Sequence, residues 1–345
     1  MNNSTLSLHP EVATKQLLGV LPKRTRDIVE FRFGLGKNSE RMTLEAIGNK
    51  YNITRERVRQ IEADALSRIR KSSKMSELRG VFADFENYFS VAGGVVRETY
   101  VLQNLALHPK HENHVYFLLT LNKSLTRFHE NEDFHSRWAH QKELDTQAQK
   151  TVSHATNEIR KIGKPISEPK LFDVLSASAQ VVIGSSPGEA VLANWVGLSK
   201  IMAKNYFGEW GLVEFPSIKP RGVRDLSYLV MSKFVEPLHF SEVAQKISKL
   251  VGRKIHTKTV HNELIKDNRF VLVGRGLYGL RECGYEEGTV KDIISKILHK
   301  SGPLSKDKIV ELVSTKRFVK PNTIAVNLDN RKYFKKLENG AYTAL

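Results

Sequence analysis

Residues 43–71 read TLEAIGNKYNITRERVRQIEADALSRIRK. Thr43 is a residue type that caps helix N-termini, and Asn tolerates the left-handed conformation of a tight turn, so the first half predicts a short helix that ends near Tyr51–Asn52. Thr54 then predicts the cap of a second, longer helix. Apolar residues recur in that helix at spacings of three and four, and they predict a buried stripe: Val58, Ile61, Ala65 and Ile69. A short helix, a tight turn and a longer helix are the plan of a helix-turn-helix.

The exposed side of the second helix carries residue types that suit the major groove of DNA. Arg55 can donate two hydrogen bonds to guanine, Glu56 can accept one from cytosine, and Gln60 can pair with adenine. The alternative is an ordinary basic helical hairpin with solvated charges. Glu56 argues against phosphate attraction alone, because an acid that faces DNA lowers the affinity unless it reads a base. The basic residues better placed for phosphates, which position a protein without specifying sequence, are Arg41, Lys50, Arg57 and Arg68.

Two stretches together resemble region 4 of the bacterial sigma-70 family: LPKRTRDIVEFRFGL (Leu21–Leu35) and TLEAIGNKYNITRERVRQIEADALSRIR (Thr43–Arg70). In that family, region 4 is the helix-turn-helix domain that recognises the promoter −35 element. The resemblance implies base readout by Arg55, Glu56 and Gln60. With the basic positions that the family uses on the DNA backbone, the full set of predicted backbone contacts is Arg41, Lys50, Thr54, Arg57, Arg59 and Arg68.

The resemblance also implies a protein partner, the RNA polymerase core. Region 4 of the family grips the flap of the polymerase β subunit through the apolar half that precedes the helix-turn-helix. The corresponding residues here are Leu21, Ile28, Val29, Phe31 and Phe33, and core packing is the alternative for each. The resemblance covers roughly residues 21–74, and region 4 stands last in sigma factors but first here. No aromatic-rich region of the kind that melts the −10 element is recognisable, so we do not expect this chain alone to melt promoters.

The charge of the chain is concentrated at its two ends. The 345 residues include 54 Lys and Arg against 37 Asp and Glu, a net charge of +17. Residues 21–74 carry 14 basic and 7 acidic side chains, residues 226–345 carry 22 and 12, and the remainder is neutral. Two basic segments on a neutral spacer predict polyanion binding, with double-stranded DNA the first candidate. Surface lysines that only aid solubility are the alternative.

Residues 226–283 predict three helices followed by a short hairpin, which is a winged helix. Leu226–Phe234 forms the first helix, Ser241 caps the second and Thr257 begins the third. The pieces PLHFSEVA (residues 237–244) and GRGLYGL (residues 274–280) resemble HARE-type winged helix-turn-helix domains and the N-terminal domain of the RNA polymerase δ subunit.

The same plan recurs about 65 residues later, where VEPLHFSEVAQKI from Val235 is echoed by SGPLSKDKIVELV from Ser301. This spacing indicates a tandem domain at residues 286–345. Winged helices also dock proteins, and that alternative stays open. Secondary DNA-binding candidates in the two copies are Lys254, Lys258, Lys266, Arg269, Arg275, Arg331 and Lys332.

The sequence of the neutral middle segment, Met75–Asp225, predicts mostly helices. We expect a helix near Val95–Leu107, a hairpin within Leu125–Trp138, a polar helical linker at Glu143–Lys161, a helix at Glu189–Lys204 and a strand-turn-strand at Phe207–Ile218. Six histidines lie between His108 and His140. No Cys is near them and their spacing matches no compact ligand pair, so we expect solvent- or phosphate-facing side chains and no metal site.

The sequence gives no sign of catalysis or of membrane insertion. Nucleotide-binding loops and nucleophile elbows are absent, which predicts a protein that is not an enzyme and needs no cofactor or small-molecule substrate. One cysteine, Cys283, excludes a disulfide framework, and neither a signal peptide nor an apolar run of about 18 residues is recognisable, so we expect a cytoplasmic protein. The resemblance to the bacterial sigma-70 family implies further that this protein is bacterial and associated with the nucleoid.

The predicted fold class is mainly α, with tandem helix-turn-helix and winged-helix domains and short β-hairpin wings. The predicted function is sigma-like promoter recognition in transcription initiation or regulation. A stand-alone DNA-binding regulator, an architectural protein and a winged-helix interaction scaffold are the alternatives. The predicted segments are an N-terminal arm (1–20), the region 4-like domain (21–74), a possible winged helix (75–140), a linker (141–164), a second possible winged helix (165–225) and the two C-terminal winged helices (226–283 and 286–345).

Overall fold

The computed structural model describes residues 6–37, 39–234 and 236–345. Within these residues the chain forms seventeen α-helices and ten short strands, which pair in two- and three-stranded sheets. The predicted fold class, mainly α with short hairpins, is confirmed. None of the helices in the described ranges has both the length and the apolar character to cross a membrane.

The chain divides into two compact units. The first comprises the described residues up to Ala203 together with Trp210–Leu212, and the second comprises Lys204–Glu209 and the described residues from Val213 to Leu345. The first five residues of the predicted N-terminal arm lie outside the described residues, as does Val235, which opens the first copy of the C-terminal repeat.

Between Pro10 and Leu212 the described residues form eleven α-helices and five strands. The helices are α1 (Pro10–Leu18), α2 (Lys23–Phe33), α3 (Leu44–Tyr51), α4 (Arg55–Lys71), α5 (Ser73–Glu77), α6 (Arg79–Val91), α7 (Glu98–Ala106), α8 (Glu112–Leu121), α9 (Lys142–Ile162), α10 (Glu168–Ile183) and α11 (Glu189–Val196). The strands are β1 (Val95–Arg97), β2 (Thr126–Phe128), β3 (Arg137–Ala139), β4 (Met202–Lys204) and β5 (Trp210–Leu212).

One hydrophobic core joins the first two helices of the chain and α4 to helices of the middle segment. Phe33 on α2 packs edge-on against Phe117 on α8, with ring centroids 5.1 Å apart. Arg70, near the end of α4, donates hydrogen bonds to the carbonyl oxygens of Thr120 and Leu121 at the end of α8, at 2.6 and 3.3 Å. The same cluster of buried residues extends from Ala13 to Trp138, so this core continues across the predicted boundary between residues 74 and 75.

Two expectations for the middle segment were wrong in detail. Val95–Arg97 is a strand and not the start of a helix, because it pairs with β3 in the antiparallel sheet β1-β3-β2. The helix expected at Glu189–Lys204 ends at Val196, because the hydroxyl of Ser199 accepts hydrogen bonds from the amides of Ile201 and Met202 and turns the chain into β4. The hairpin expected within Leu125–Trp138 is present as β2 and β3.

The strand-turn-strand expected at Phe207–Ile218 is also wrong, since only Trp210–Leu212 is a strand and its partner is β4. The predicted linker at Glu143–Lys161 lies within α9, which is 21 residues long and is not polar on every side. Its buried face packs against α10 and includes Ala148, Val152, Ala155 and Ile159.

The second unit contains two successive groups of three helices with a hairpin. The first group consists of α12 (Val223–Met231), β6 (Leu238–His239), α13 (Phe240–Val251), α14 (Thr257–Lys266), β7 (Phe270–Gly274) and β8 (Leu277–Leu280). The second consists of α15 (Val290–Ser301), α16 (Lys306–Ser314), α17 (Pro321–Leu328), β9 (Phe334–Lys336) and β10 (Tyr342–Ala344). Each group has its own hydrophobic core.

The helix limits in the first group differ from the predicted ones in two places. His239, not Ser241, is the N-cap of α13, and Glu242 completes a capping box with it. Phe234 lies beyond the end of α12 and is 40% exposed. Gly276 forms the hairpin turn at φ 71°, where a side chain would also collide with His239, 2.5 Å from the added carbon.

Candidate nucleic-acid interface

The helix-turn-helix forms as its caps predict. The Thr43 hydroxyl accepts a hydrogen bond from the Ala46 amide at 3.1 Å, and the Thr54 hydroxyl accepts one from the Arg57 amide at 3.1 Å. Asn52 ends α3 in the left-handed conformation, with φ 54° and ψ 49°. Gly48 allows the turn to pass closely, since a side chain there would place its first carbon 2.6 Å from the carbonyl oxygen of Ile53. These local contacts fix the angle at which α4 leaves the turn.

The face of α4 behind the candidate interface is buried in two clusters. Val58 lies fully buried with Ile28 and Ile47 in a small core under the turn. Ala65 and Ile69, further along, belong to the larger core of the first unit. The predicted stripe is confirmed, with Ile61 partly buried between the two ends. Since this face is fixed, the opposite face of α4 is held towards solvent.

The three predicted base-reading residues all lie exposed on the first two turns of α4. The Glu56 carboxylate accepts hydrogen bonds from Arg59 at 2.9 Å (Nε) and 2.6 Å (Nη2), and these bonds hold the pKa of Glu56 below its usual value. Gln60 accepts a hydrogen bond from Arg57 at 3.2 Å through its Oε1 atom. Arg55 makes no hydrogen bond or ion pair with any described residue. The site therefore contains one free guanidinium and two polar groups held by neighbouring arginines.

The predicted backbone contacts are exposed but differ in how they are held. Lys50 places its ammonium 3.7 Å from the centroid of the Phe31 ring, and Arg68 pairs with Asp64 at 3.0 Å. Thr54 contributes its hydroxyl to the cap of α4. Arg57 and Arg59 bond to Gln60 and Glu56 as described above. Of these cations, Arg57 contacts a base-reading residue, Gln60, whereas the Lys50 ammonium lies over the Phe31 ring.

Arg41 is held differently from the other basic candidates. Its guanidinium lies 3.9 Å from the centroid of the Tyr116 ring, and its Nε donates to the Asn113 side-chain oxygen at 2.8 Å. Burial of the guanidinium lowers the pKa of Arg41. This side chain bridges the segment before α3 to α8 through its Nε atom and its ring contact, while Arg41 as a whole is exposed, so it stays a candidate for a phosphate contact.

Asn113 is a positioning residue that the sequence analysis did not identify. Its side-chain amide donates to the carbonyl oxygens of Gly34 at 3.0 Å and Ser39 at 2.7 Å, while its oxygen accepts from Arg41. One side chain on α8 thus holds the loop that leads into the helix-turn-helix. The partners are more than seventy residues apart in the chain, so no local pattern could have indicated them.

The apolar residues that the resemblance associates with the polymerase flap lie mostly inside the protein. Leu21, Ile28, Val29 and Phe33 are buried. Phe31 is half-buried and packs beside Tyr51 and under Lys50. Core packing therefore accounts for four of these five residues.

The candidates of the second unit fall into two groups. Arg269 forms ion pairs with two carboxylates, Asp267 at 2.6 Å and Asp225 at 3.2 Å, so its charge is already neutralised. The others are exposed: Lys254, Lys258, Lys266, Arg275, Arg331 and Lys332. Arg275 stands exposed next to Gly276, the turn glycine of the β7–β8 hairpin.

Two histidines of the middle segment are buried and not solvent-facing, contrary to the expectation. His111 and His114 are 6% and 7% exposed. Burial lowers the pKa of His111 and lowers that of His114 to about 4, so both rings are neutral at pH 7. His129, in contrast, is exposed after β2.

Comparison with known proteins identifies the stretch that carries the helix-turn-helix. Residues 17–71 match the family described as Sigma-70, region 4. Over 81 residues the chain is 41% identical to the RNA polymerase sigma factor RpoD of Neisseria gonorrhoeae, which corresponds to 24% of this chain and 12% of that relative. The chain therefore spans only a small part of the sigma factor that it matches. Residues 17–71 are thus similar to sigma-70 region 4, and within them α3 and α4 form a helix-turn-helix.

Proposed function

We propose that this protein binds double-stranded DNA in transcription initiation or its regulation, and that α4 recognises a −35-type promoter element. The observation that carries the proposal is the division of α4 into two faces. Val58 and Ile69 are fully buried, while Arg55, Glu56 and Gln60 face solvent on the first two turns. A helix of this kind can enter the major groove with its N-terminal residues at the base edges.

The hydrogen bonds within the site suit such a role. A glutamate side chain is ionised at neutral pH, and Arg59 lowers the pKa of Glu56 further, so its carboxylate can accept a hydrogen bond from the amino group of cytosine. The Glu56–Arg59 pair is exposed on both sides, with 54% and 62% of the side chains accessible, and an exposed ion pair is readily exchanged for other partners. Arg59 can then turn to a phosphate while Glu56 reads a base.

The first test changes the base-reading residues one at a time. Glu56→Ala, Arg55→Ala and Gln60→Ala are each expected to relax the preference at one base position by roughly 10- to 100-fold, because a good side-chain–base pair contributes that much discrimination. Selection of bound duplexes from a randomised library, followed by affinity measurements on the selected site, gives the preference. All three side chains are exposed, so the variants should melt at the wild-type temperature.

Arg68→Ala is the matched control, since Arg68 lies on the same helix but two turns beyond Gln60. It should weaken binding to all duplexes alike and leave the sequence preference unchanged. Equal affinity of the unaltered protein for the selected and scrambled duplexes, with no positional effect of the three substitutions, would disprove base readout by α4.

The second part of the proposal is association with RNA polymerase core. This proposal is supported by the sequence match to region 4. The surface of the fold adds no support, because most residues of the flap-associated stretch are buried. We expect the full chain to co-sediment with purified bacterial core polymerase in the absence of DNA. A stand-alone DNA-binding regulator predicts specific DNA binding with no such complex, so sedimentation with and without polymerase separates the two functions.

A further inference from the structure

Three side chains able to bind a metal ion converge between α1 and the turn that leads into α8. His9 immediately precedes α1, Glu11 lies in its first turn and His111 stands just before α8. One ligand atom of each lies within 4.8 Å of the others. The rings of His9 and His111 meet edge to face, with centroids 4.5 Å apart. About a hundred residues of chain separate the two halves of this cluster, which explains why residue spacing gave no sign of it.

The buried atoms of the cluster lack hydrogen-bond partners. His111 is 6% exposed, and its Nδ1 atom bonds to no described residue. Oε2 of Glu11 lies 3.9 Å from this nitrogen, which is too long for a hydrogen bond. The Nδ1 atom of His114, one turn further on, is also buried without a partner. Since buried polar atoms are normally satisfied, two unpaired imidazole nitrogens beside a carboxylate point to a ligand.

The geometry is close to what one ion requires. Two ligands of a tetrahedral zinc ion, each about 2.0–2.1 Å from the metal, stand roughly 3.4 Å apart. The 3.9 Å between Nδ1 of His111 and Oε2 of Glu11 exceeds this only slightly. The other carboxylate oxygen of Glu11 is held by Lys15 at 2.7 Å, and Lys15 is 72% exposed, so its ammonium can move away from an incoming cation.

We propose that His9, Glu11 and His111 bind one divalent transition-metal ion, and that zinc suits them best. Two imidazole side chains and one carboxylate form the mixed nitrogen and oxygen set that zinc prefers over calcium or magnesium. Three protein ligands leave a fourth position for water or for His114, whose ring centroid is 6.1 Å from that of His111. This site is independent of the proposed DNA-binding function.

The bound ion would tie the start of α1 to α8. α1 contributes Ala13 and Leu17 to the core of the first unit, and α8 carries Asn113, the residue that holds the loop before the helix-turn-helix. An ion between them would stabilise the folded first unit, because a ligand that binds only the native state shifts the unfolding equilibrium. The ion is therefore assigned a structural role.

The test uses the full chain without an affinity tag, stripped of metal by a chelator. We expect one equivalent of Zn²⁺ to bind with a Kd below roughly 1 µM at neutral pH, and to raise the melting temperature by about 5 °C. Co²⁺ should give the intense visible absorption of tetrahedral coordination. His9→Ala and Glu11→Gln should each weaken Zn²⁺ binding by roughly 100-fold or more.

These two variants are chosen because neither side chain belongs to the core, whereas a change at buried His111 could unfold the protein. His299→Ala is the matched control, since His299 is exposed on α15 of the second unit and should leave binding unchanged. Absence of Zn²⁺ binding at micromolar concentration would overturn the proposal. Unaltered binding in both His9→Ala and Glu11→Gln would overturn it as well, because the ion would then be held elsewhere.

Discussion

Raising the salt concentration from about 50 to 200 mM is expected to weaken duplex binding by this protein roughly 10³-fold. Each phosphate that a cation neutralises releases bound counterions, and about six such contacts give this steepness. The N-terminal segment offers exposed cations in sufficient number around α4: Lys50, Arg55, Arg57, Arg59, Arg68 and Lys71. Fluorescence anisotropy of a labelled duplex at several salt concentrations measures the slope of log affinity against log salt.

Single substitutions measure how much each cation contributes to the slope of log affinity against log salt. Lys50→Ala should reduce the slope by about one, since it removes one phosphate contact. Lys161→Ala is the control, because Lys161 is also an exposed cation but pairs with Glu158 on α9, a helix that carries none of the candidate residues. A slope near zero for the unaltered protein would favour the alternative of a protein-interaction scaffold over a DNA-binding protein.

The same measurement tests the second unit. Arg275→Ala should lower the slope if the β7–β8 hairpin contacts the DNA backbone, and Arg269→Ala should not, because Arg269 is already neutralised by Asp267 and Asp225. An unchanged slope for Arg275→Ala would exclude a backbone contact at the β7–β8 hairpin and would favour protein docking as the role of this hairpin.

The helix-turn-helix could be predicted from sequence because its determinants are local. Thr43, Asn52 and Thr54 each act on backbone groups within five residues, and the buried stripe of α4 follows from spacing alone. The β1 strand could also have been found, since Val95 and Val96 are β-branched residues directly after two glycines. Its partner, β3, lies some forty residues further on, and pairing with β3 makes these residues a strand and not the start of a helix.

The contacts that hold the site in place depend on residues far apart in sequence. Asn113 reaches the loop at Gly34 and Ser39, and His111 meets His9 and Glu11 only after α1 has packed against α8. A histidine on a helix has the same local pattern whether it is solvated, buried or a ligand. Only the folded arrangement separates these states, so residue spacing alone could not indicate this cluster of His9, Glu11 and His111.

Replacing Asp145 by Ala is expected to destabilise the first unit by about 3–5 kcal/mol, because it leaves a buried guanidinium without its counter-charge. Arg137 and Asp145 are 3% and 2% exposed, and they form a two-pronged pair whose second bond, from Nη2 to Oδ2, is 2.9 Å long. Gln149 donates to the same carboxylate at 2.7 Å. The pair joins β3 to the start of α9, so its loss affects the contact between the small sheet and this helix.

Urea unfolding followed by tryptophan fluorescence measures this effect selectively, since the three tryptophans of the chain, Trp138, Trp195 and Trp210, all belong to the first unit. Asp64→Ala is the control, because its partner Arg68 is 59% exposed and breaking such a surface pair should cost about 0–1 kcal/mol. Replacing Arg137 and Asp145 together by leucine should recover most of the loss, since it removes the isolated charge. Equal stability of the Asp145→Ala and Asp64→Ala variants would contradict this prediction. It would mean that water reaches Arg137 and that the Arg137–Asp145 ion pair contributes little to holding β3 against α9.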